Sequence, residues 1–291
     1  MLEFIDYKEV IIYKKMDKYE QEFQKRLKTI TNSMEVDRVE LGELRLKRLA
    51  AMLYFLIKEK KEVFDLLVSG GNSGVAAIEI TKMVYQVAQI KSPPTVLFPI
   101  VRPSNKENIQ IDNNLVEEQL RSVKKLDRLL FVDDEIMRAQ TAKICFETIR
   151  DFLGKSKVNP CLSCTIVAEN HFFIWRYDLK GVAVRFLPFA TVLQGYNGNF
   201  GYLIPGKLIK KLALILGEPI DRNQALAILL GGKRKIVRNK ISTFDYEVER
   251  KIINKVKDYN REKKGFIKKI ENLVKEGIEE CKKENIKFCY M

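Results

Sequence analysis

Two adjacent carboxylates at the end of an apolar run are the side chains of this sequence best suited to chemistry. Asp133 and Asp134 follow the run 129–132 and precede a short polar loop. Apolar residues at helical spacing then predict a helix from Thr141 to about Phe152. Acids at the end of a buried strand can bind ribose hydroxyls, and the amides of a loop that opens a helix can hold a phosphate. The segment therefore suits a sugar phosphate, and an aspartate that only caps the loop is the plainer alternative.

A glycine-rich turn lies about 60 residues earlier and joins a predicted strand to a predicted helix. Its amides point to where an anion could bind, and its polar side chains add donors. The spacing of Gly70, Gly71 and Gly74 does not fit a dinucleotide-binding fingerprint. Tight packing between strand and helix is the alternative explanation. The residues of this turn are Ser69, Gly70, Gly71, Asn72 and Ser73.

Strand and helix patterns alternate through the middle of the chain, and this alternation predicts an α/β fold with a parallel sheet flanked by helices. The predicted strands are 64–68, 95–101, 128–133, 161–168 and 181–187. The predicted helices of this part are 41–60, 75–87, 115–124 and 141–152.

The sequence divides into three parts by composition. An N-terminal arm with a short strand and a helix covers 1–39, and the α/β core covers 40–195. The glycine- and asparagine-rich stretch 194–201 marks the boundary to a mostly helical, basic C-terminal region, 196–291. Its predicted helices are 207–216, 221–230, 244–260 and 262–284. The apolar stripes of the last two helices must be buried against the core, each other or another chain, so an oligomer is compatible with the pattern.

The positive charge is concentrated in the last third of the chain. The formal net charge is +14, and residues 201–291 hold 22 Lys/Arg against 12 Asp/Glu. Such a surface attracts nucleic acid or an acidic protein partner, and a solvated lysine-rich surface is the alternative. The densest cluster follows a glycine pair and includes Lys233, Arg234, Lys235 and Arg238.

Other features indicate a cytoplasmic protein with no membrane partner. No apolar run reaches the length of a membrane span, and the N-terminus lacks the pattern of a signal peptide. Cys161 and Cys164 have a C-x-x-C spacing, but there is no second pair nearby and the single histidine, His171, is not at zinc-finger spacing. Buried, reduced thiols are therefore expected.

The glycine-rich turn and the acidic segment, in this order, resemble the type I phosphoribosyltransferase family. The segment 131–141 aligns without gaps with the family signature of apolar strand, two acids, phosphate loop and helix. The resemblance covers roughly residues 40–190 and implies pentosyl transfer, a glycosyltransferase reaction, from phosphoribosyl pyrophosphate with Mg²⁺ as cofactor. A nucleotide is the other ligand that such a site implies.

The resemblance also implies roles for individual residues. Asp133 and Asp134 would hold the ribose hydroxyls and Mg²⁺, which prefers carboxylate and phosphate oxygens. Ser69 to Ser73 would form the pyrophosphate loop together with Arg102, and the polar insertion 103–126 occupies the place of a mobile active-site loop. The 5′-phosphate would lie against Arg138, Ala139, Gln140 and Thr141. The base would stack on Phe172, Phe173 or Trp175, although aromatic residues there are more often part of the core.

Three residues depart from the family pattern and favour ligand binding over turnover. Met137 stands where many members carry an acidic or polar residue, and Arg138 and Ala139 replace a Thr-Gly pair. Arginine can bind phosphate in a bidentate manner, whereas alanine fits only where φ is negative. The alternative function is a degenerate regulator or a bacterial defence or toxin-type effector, which binds nucleic acid or a partner protein through the basic helices.

Two other protein classes share fragments of the pattern. Receiver domains also have an apolar strand before Asp-Asp-Glu, but their acids open the domain, and here the next strand ends in Val167-Ala168-Glu169. Sugar-phosphate isomerase domains use serine-rich turns like 69–73, which leaves the acidic loop without a role.

Overall fold

A parallel sheet forms the centre of the molecule. The computed structural model describes residues 38–98, 100–101, 110–111, 113–121, 123, 126–133, 140–155, 162–168, 182–188, 200–217, 219–230, 234–237, 240–243 and 256–284. Within these ranges the main sheet has five strands, and every neighbouring pair is parallel. The predicted α/β fold class, with helices around the sheet and a helical C-terminal region, is confirmed.

The strands lie within a few residues of their predicted positions. Those of the sheet are β1 (Leu66–Gly70), β2 (Thr95–Phe98), β5 (Arg128–Val132), β6 (Leu162–Ala168) and β7 (Val182–Pro188). Two antiparallel pairs lie outside it, β3 (Ile100–Val101) with β4 (Gln110–Ile111) and β8 (Arg234–Val237) with β9 (Lys240–Thr243). The second pair falls in 231–243, where the sequence predicted no element.

The described helices match the predicted pattern with small shifts at their ends, except that residues 256–258 of the predicted helix 244–260 form a turn. Residues 244–255 of that helix and residues 1–37 of the predicted N-terminal arm lie outside the described residues. Helix α1 (Arg38–Tyr54) is followed directly by one π-helical turn, Phe55–Glu59, and a 3-10 turn, Phe200–Leu203, precedes helix α5 (Gly206–Leu216). None of the described helices is both long and apolar enough to cross a bilayer. The α-helices are α1 (Arg38–Tyr54), α2 (Gly71–Val87), α3 (Asn113–Arg121), α4 (Gln140–Lys155), α5 (Gly206–Leu216), α6 (Arg222–Leu230) and α7 (Tyr259–Glu284).

The strand order reverses in the middle of the sheet. The spatial order is β2-β1-β5-β6-β7. The chain leaves β1 towards β2 on one side, whereas it leaves β5 towards β6 and β7 on the other. The carboxyl ends of β1 and β5 are therefore neighbours at a topological switch point, the position at which open parallel sheets bind ligands.

Both faces of the sheet are covered, which explains why its central strands are mainly apolar. Leu129 and Phe131 of β5 face a cluster that contains α3 and α4, and Leu130 and Val132 face a larger cluster on the opposite side. The rings of Phe131 and Phe146 pack edge to face, with ring centroids 5.7 Å apart and an interplanar angle of 67°. This alternation fixes which face each residue of β5 presents.

The C-terminal helices cover one face of the sheet. Leu212 of α5, Leu226 of α6 and Ile270 of α7 belong to the same buried cluster as Leu130 of β5. Helix α7 also packs closely on α1, because Gly277 lies directly against the backbone of Lys47. The described helices after residue 200 are thus part of the fold that holds the sheet.

Candidate functional site

The turn from β1 into α2 brings backbone amides to the switch point. The chain extends through Gly70, with φ −143° and ψ 150°, and Gly71 then starts α2 with a φ of +71°. A positive φ is the conformation that glycine adopts without strain. Because glycine at the N-cap has no side chain to accept from the first amides of a helix, this N-terminus is suited to bind an anion.

A hydrogen bond joins this turn to the acidic segment after β5. Ser73 Oγ in the first turn of α2 donates to Asp133 Oδ1 at 2.9 Å. Asp133 follows β5 directly, is 4% exposed, and its amide donates to the carbonyl of Val167 in β6 at 3.4 Å. The structure therefore brings together two sequence-predicted residues that are 60 positions apart, and it fixes the orientation of the Asp133 carboxylate.

The hydroxyl of Ser69 connects the two central strands. Ser69 is fully buried, and its Oγ donates to the carbonyl of Val132 at the end of β5. Gly74 packs on it from α2, since a side chain at position 74 would overlap the Ser69 hydroxyl. Of the polar side chains predicted for the pyrophosphate loop, that of Ser69 holds the strands together and that of Ser73 holds Asp133.

Three segments converge at Gly70. A Cβ atom at this position would lie 2.5 Å from Cδ1 of Ile100 in β3 and 2.8 Å from Cγ2 of Thr141 in α4. Thr141 belongs to the predicted phosphate loop, and Gly70 to the predicted pyrophosphate loop. The two loops are therefore in direct contact, and the first residues of α4 lie beside the first residues of α2.

A buried thiol lies near the acid. Cys145 of α4 is fully buried, and burial raises the pKa of its thiol well above the ordinary value, with the negative charge of Asp133 adding to the effect. Cys164 is also a buried free thiol. Both match the expectation of buried, reduced cysteines, whereas Cys161 lies outside the described residues.

Asp133 is a suitable ligand for the Mg²⁺ that the resemblance implies. Mg²⁺ in nucleotide sites takes one or two carboxylates and completes its shell with water and substrate phosphates. An all-protein cage is not required, and within the described ranges no group of three or more His, Cys, Asp or Glu side chains surrounds a common point. The described residues supply one carboxylate at this edge, that of Asp133.

Several predicted site residues lie outside the described residues or are described in their backbone only. Gln140 is placed as the first residue of α4, and Arg234 and Lys235 as residues of β8. Those outside are Asp134, Met137, Arg138, Ala139, Arg102, Phe172, Phe173, Trp175, Lys233 and Arg238.

Sequence reasoning missed one residue of the site, Ile100, whereas it named Gly74 in the glycine-rich turn with tight packing between strand and helix as one explanation. Ile100 touches Gly70 from β3, and Gly74 makes room for the Ser69 hydroxyl. The spacing of Gly74 from Gly70 was a usable signal, because glycines one helical turn apart indicate a close approach between a helix and its neighbour. No signal in the sequence pointed to Ile100.

The solved structures that are similar to this chain match it with low TM-scores, and their names describe different kinds of protein. A hypothetical protein from Neisseria gonorrhoeae with bound ppGpp is 13% identical over 50% of this chain and 78% of its own, with a TM-score of 0.33. The hypoxanthine phosphoribosyltransferase of Trypanosoma cruzi is 13% identical over 51% of this chain and 78% of its own, with a TM-score of 0.29. A PLP-bound C-S lyase from Staphylococcus hominis is 13% identical over 57% of this chain and 46% of its own, with a TM-score of 0.28.

No family model and no curated protein matches the sequence. The TM-scores are low for phosphoribosyltransferases and for the lyase alike. These similarities therefore do not distinguish between functions.

Proposed function

We propose that this chain binds phosphoribosyl pyrophosphate or a nucleotide between the carboxyl ends of β1 and β5, as type I phosphoribosyltransferases do. The observation that carries the proposal is the hydrogen bond from Ser73 to Asp133. It joins an anion-binding turn to a carboxylate, and these are the two groups that a phosphorylated ribose needs. The strand reversal at the same place supplies the crevice.

Each part of the ligand has a matching group in the proposal. Asp133, with Asp134 beside it in sequence, accepts hydrogen bonds from the ribose hydroxyls. The 5′-phosphate lies at the N-terminus of α4, which begins at Gln140, and the pyrophosphate lies at the N-terminus of α2, which begins at Gly71. Helix N-termini carry a partial positive charge and unsatisfied amides, so both suit phosphate oxygens.

Mg²⁺, when bound by Asp133 and Asp134, neutralises the phosphate charge. The protein contributes the positioning of the sugar by a carboxylate that Ser73 already orients. In a transfer reaction the bond from ribose C1 to the pyrophosphate oxygen breaks, and the bond from C1 to the acceptor forms. The amides of α2 then stabilise the charge that develops on the departing pyrophosphate, and no single general base is required for this.

The decisive experiment measures thermal unfolding with phosphoribosyl pyrophosphate and Mg²⁺. Ligand at about a hundredfold excess over Kd adds about 2.7 kcal/mol to the free energy of unfolding. This corresponds to an increase in Tm of roughly several degrees for a chain of this size. Asp133→Asn keeps an oxygen that can accept from Ser73 but removes the charge, so we expect this shift to be lost.

A matched variant controls for charge. Asp151→Asn removes a carboxylate that is 67% exposed on α4 and pairs with Arg150, so it should keep the full ligand-induced shift. A wild-type protein that is not stabilised by either ligand, or an Asp133→Asn variant with an undiminished shift, would contradict the proposal. Release of pyrophosphate in the presence of a panel of nucleobases then distinguishes a transferase from a binding protein.

A further inference from the structure

The outer face of helix α7 carries a row of basic residues. Arg261, Lys264 and Lys268 are exposed and lie at i, i+3 and i+7, so they share one side of the helix. Lys257 is exposed two residues before the helix begins. The next exposed position on this side of the helix after Lys268 is an acid, Glu271, which ends the row. We call the four residues Lys257, Arg261, Lys264 and Lys268 the basic face. It is separate from the cluster around Lys235 that the sequence indicated.

Three acids of α7, Glu262, Glu276 and Glu280, do not neutralise the basic face, because they pair with lysines of other helices. Glu262 accepts a hydrogen bond from Lys211 of α5 at 2.8 Å, and Glu276 pairs with Lys47 of α1. Arg261 makes a local ion pair with Asp258 at 3.2 Å. Among the residues that the structure describes, Lys257, Lys264 and Lys268 have no carboxylate within ion-pair distance. The three lysines of the basic face therefore present positive charge to solvent without an ion-pair partner among the described residues, and Arg261 is the one member with a local partner.

A membrane surface is a poor partner for this helix. Amphipathic helices bind membranes by inserting their apolar side below the headgroups. The apolar side of α7 is already used, since Phe266, Ile270 and Val274 are at most 4% exposed and pack in the core. Only the charged side remains for a partner.

A folded protein partner is also disfavoured. The centres of protein interfaces are enriched in aromatic residues and depleted in lysine. The exposed residues of this surface between 257 and 268 are Lys257, Asn260, Arg261, Lys264, Gly265 and Lys268, without an apolar side chain among them. Such a surface can supply charge and hydrogen bonds but no buried anchor.

We propose that the basic face binds the phosphate backbone of a nucleic acid. At a rise of 1.5 Å per residue, Arg261 and Lys268 are about 10 Å apart along the helix, and one strand of a duplex presents about three phosphates over this length. Lys and Arg contacts to phosphates position a protein on nucleic acid without reading its sequence. This binding is independent of the ligand site between β1 and β5, which lies in another part of the fold.

Fluorescence anisotropy of the full chain with labelled 20-base-pair RNA and DNA duplexes of arbitrary sequence tests the proposal. Four phosphate contacts predict that affinity falls by roughly two orders of magnitude between about 50 and 200 mM salt. The variant Lys257→Gln, Arg261→Gln, Lys264→Gln and Lys268→Gln should bind at least about tenfold more weakly at low salt. In a plot of log association constant against log salt concentration, the slope for this variant should be less steep than that of the wild type by about three to four.

The matched control removes the same charge elsewhere. Lys60→Gln, Lys61→Gln, Lys91→Gln and Lys283→Gln change four exposed lysines outside the basic face, and this variant should bind like the wild type. Circular dichroism and Tm confirm that both variants are folded. Equal affinities of the two variants would overturn the proposal. Wild-type binding to polyglutamate or to phosphatidylserine vesicles as tight as to the duplexes would overturn the choice of nucleic acid.

Discussion

Cγ2 of Thr141 lies so close to Gly70 that a methyl group on Gly70 would approach it to 2.8 Å. The two residues are 71 positions apart and lie at the starts of the two helices that open at the switch point, Gly70 as the N-cap of α2 and Thr141 as the second residue of α4. Their contact sets the distance between the N-termini of α2 and α4. A ligand that places one phosphate group at each of these N-termini can bind only if its phosphates are separated by a matching distance.

Gly70→Ala is expected to lower the free energy of unfolding moderately and to reduce the ligand-induced shift of Tm strongly. The added methyl group would also approach Cδ1 of Ile100 to 2.5 Å, but both neighbours are ends of side chains that can move. Overpacking of this kind costs about 1–3 kcal/mol. Denaturant unfolding measures this cost, and the shift of Tm with phosphoribosyl pyrophosphate and Mg²⁺ measures binding. A variant with full ligand-induced stabilisation would show that the spacing of the loops is not critical.

Ser69→Ala and Gly74→Ala should be coupled in a double-mutant cycle. Ser69→Ala leaves the Val132 carbonyl without the hydroxyl that it accepts from, which costs about 1–3 kcal/mol in a buried site. Gly74→Ala places a methyl group against that hydroxyl. Because Ser69→Ala removes Oγ, the nearest atom to this methyl group, and leaves the Cβ at 2.9 Å as the next nearest, Gly74→Ala should cost less in the Ser69→Ala background. Urea unfolding of the wild type, both single variants and the double variant tests this, and additive costs would contradict the contact.

The fold class and the meeting of the two loops were predictable from sequence. Alternating patterns predict parallel strands, and the carboxyl ends of parallel strands share one edge of a sheet. This is why Ser73 and Asp133 could be expected near each other. The choice of partners was not predictable, since the pattern is the same whether Ser69 faces a ligand or the carbonyl of Val132.

The C-terminal region shows where sequence reasoning fails. The apolar stripe of α7 predicts a buried face but does not say what covers it. The packing of Gly277 on Lys47 is a contact between distant segments, and no local rule fixes it. The hairpin of β8 and β9 is short and rich in basic residues, so its composition indicated a charged surface rather than paired strands.

Two glycines of α7 should respond oppositely to alanine. A methyl group at Gly277 would overlap the carbonyl of Lys47 and lie 2.8 Å from its Cα, so Gly277→Ala should destabilise the protein by about 1–3 kcal/mol. Gly265 has open space around it, and Gly265→Ala should stabilise the helix by about 0.5–1 kcal/mol. Chemical denaturation of both variants measures the difference. Similar effects at the two sites would show that α7 does not pack closely on α1.

Glu262 is expected to make the stability of the C-terminal helices depend on pH. The hydrogen bond from Lys211 is the main cause that lowers the pKa of its carboxyl below the ordinary value, and the charge of Lys207 also contributes. A carboxyl with a lowered pKa stabilises the folded state at neutral pH, and this contribution is lost as pH falls through its folded-state pKa. Glu262→Gln should therefore lower Tm more at pH 7 than at about pH 3, because the contribution shrinks as pH falls below the ordinary pKa of glutamate. Glu271→Gln, at an exposed position of the same helix, is the control that should leave the pH profile of Tm nearly unchanged. A Glu262→Gln variant whose Tm differs from the wild type by the same amount at both pH values would show that the ion pair does not couple α5 to α7.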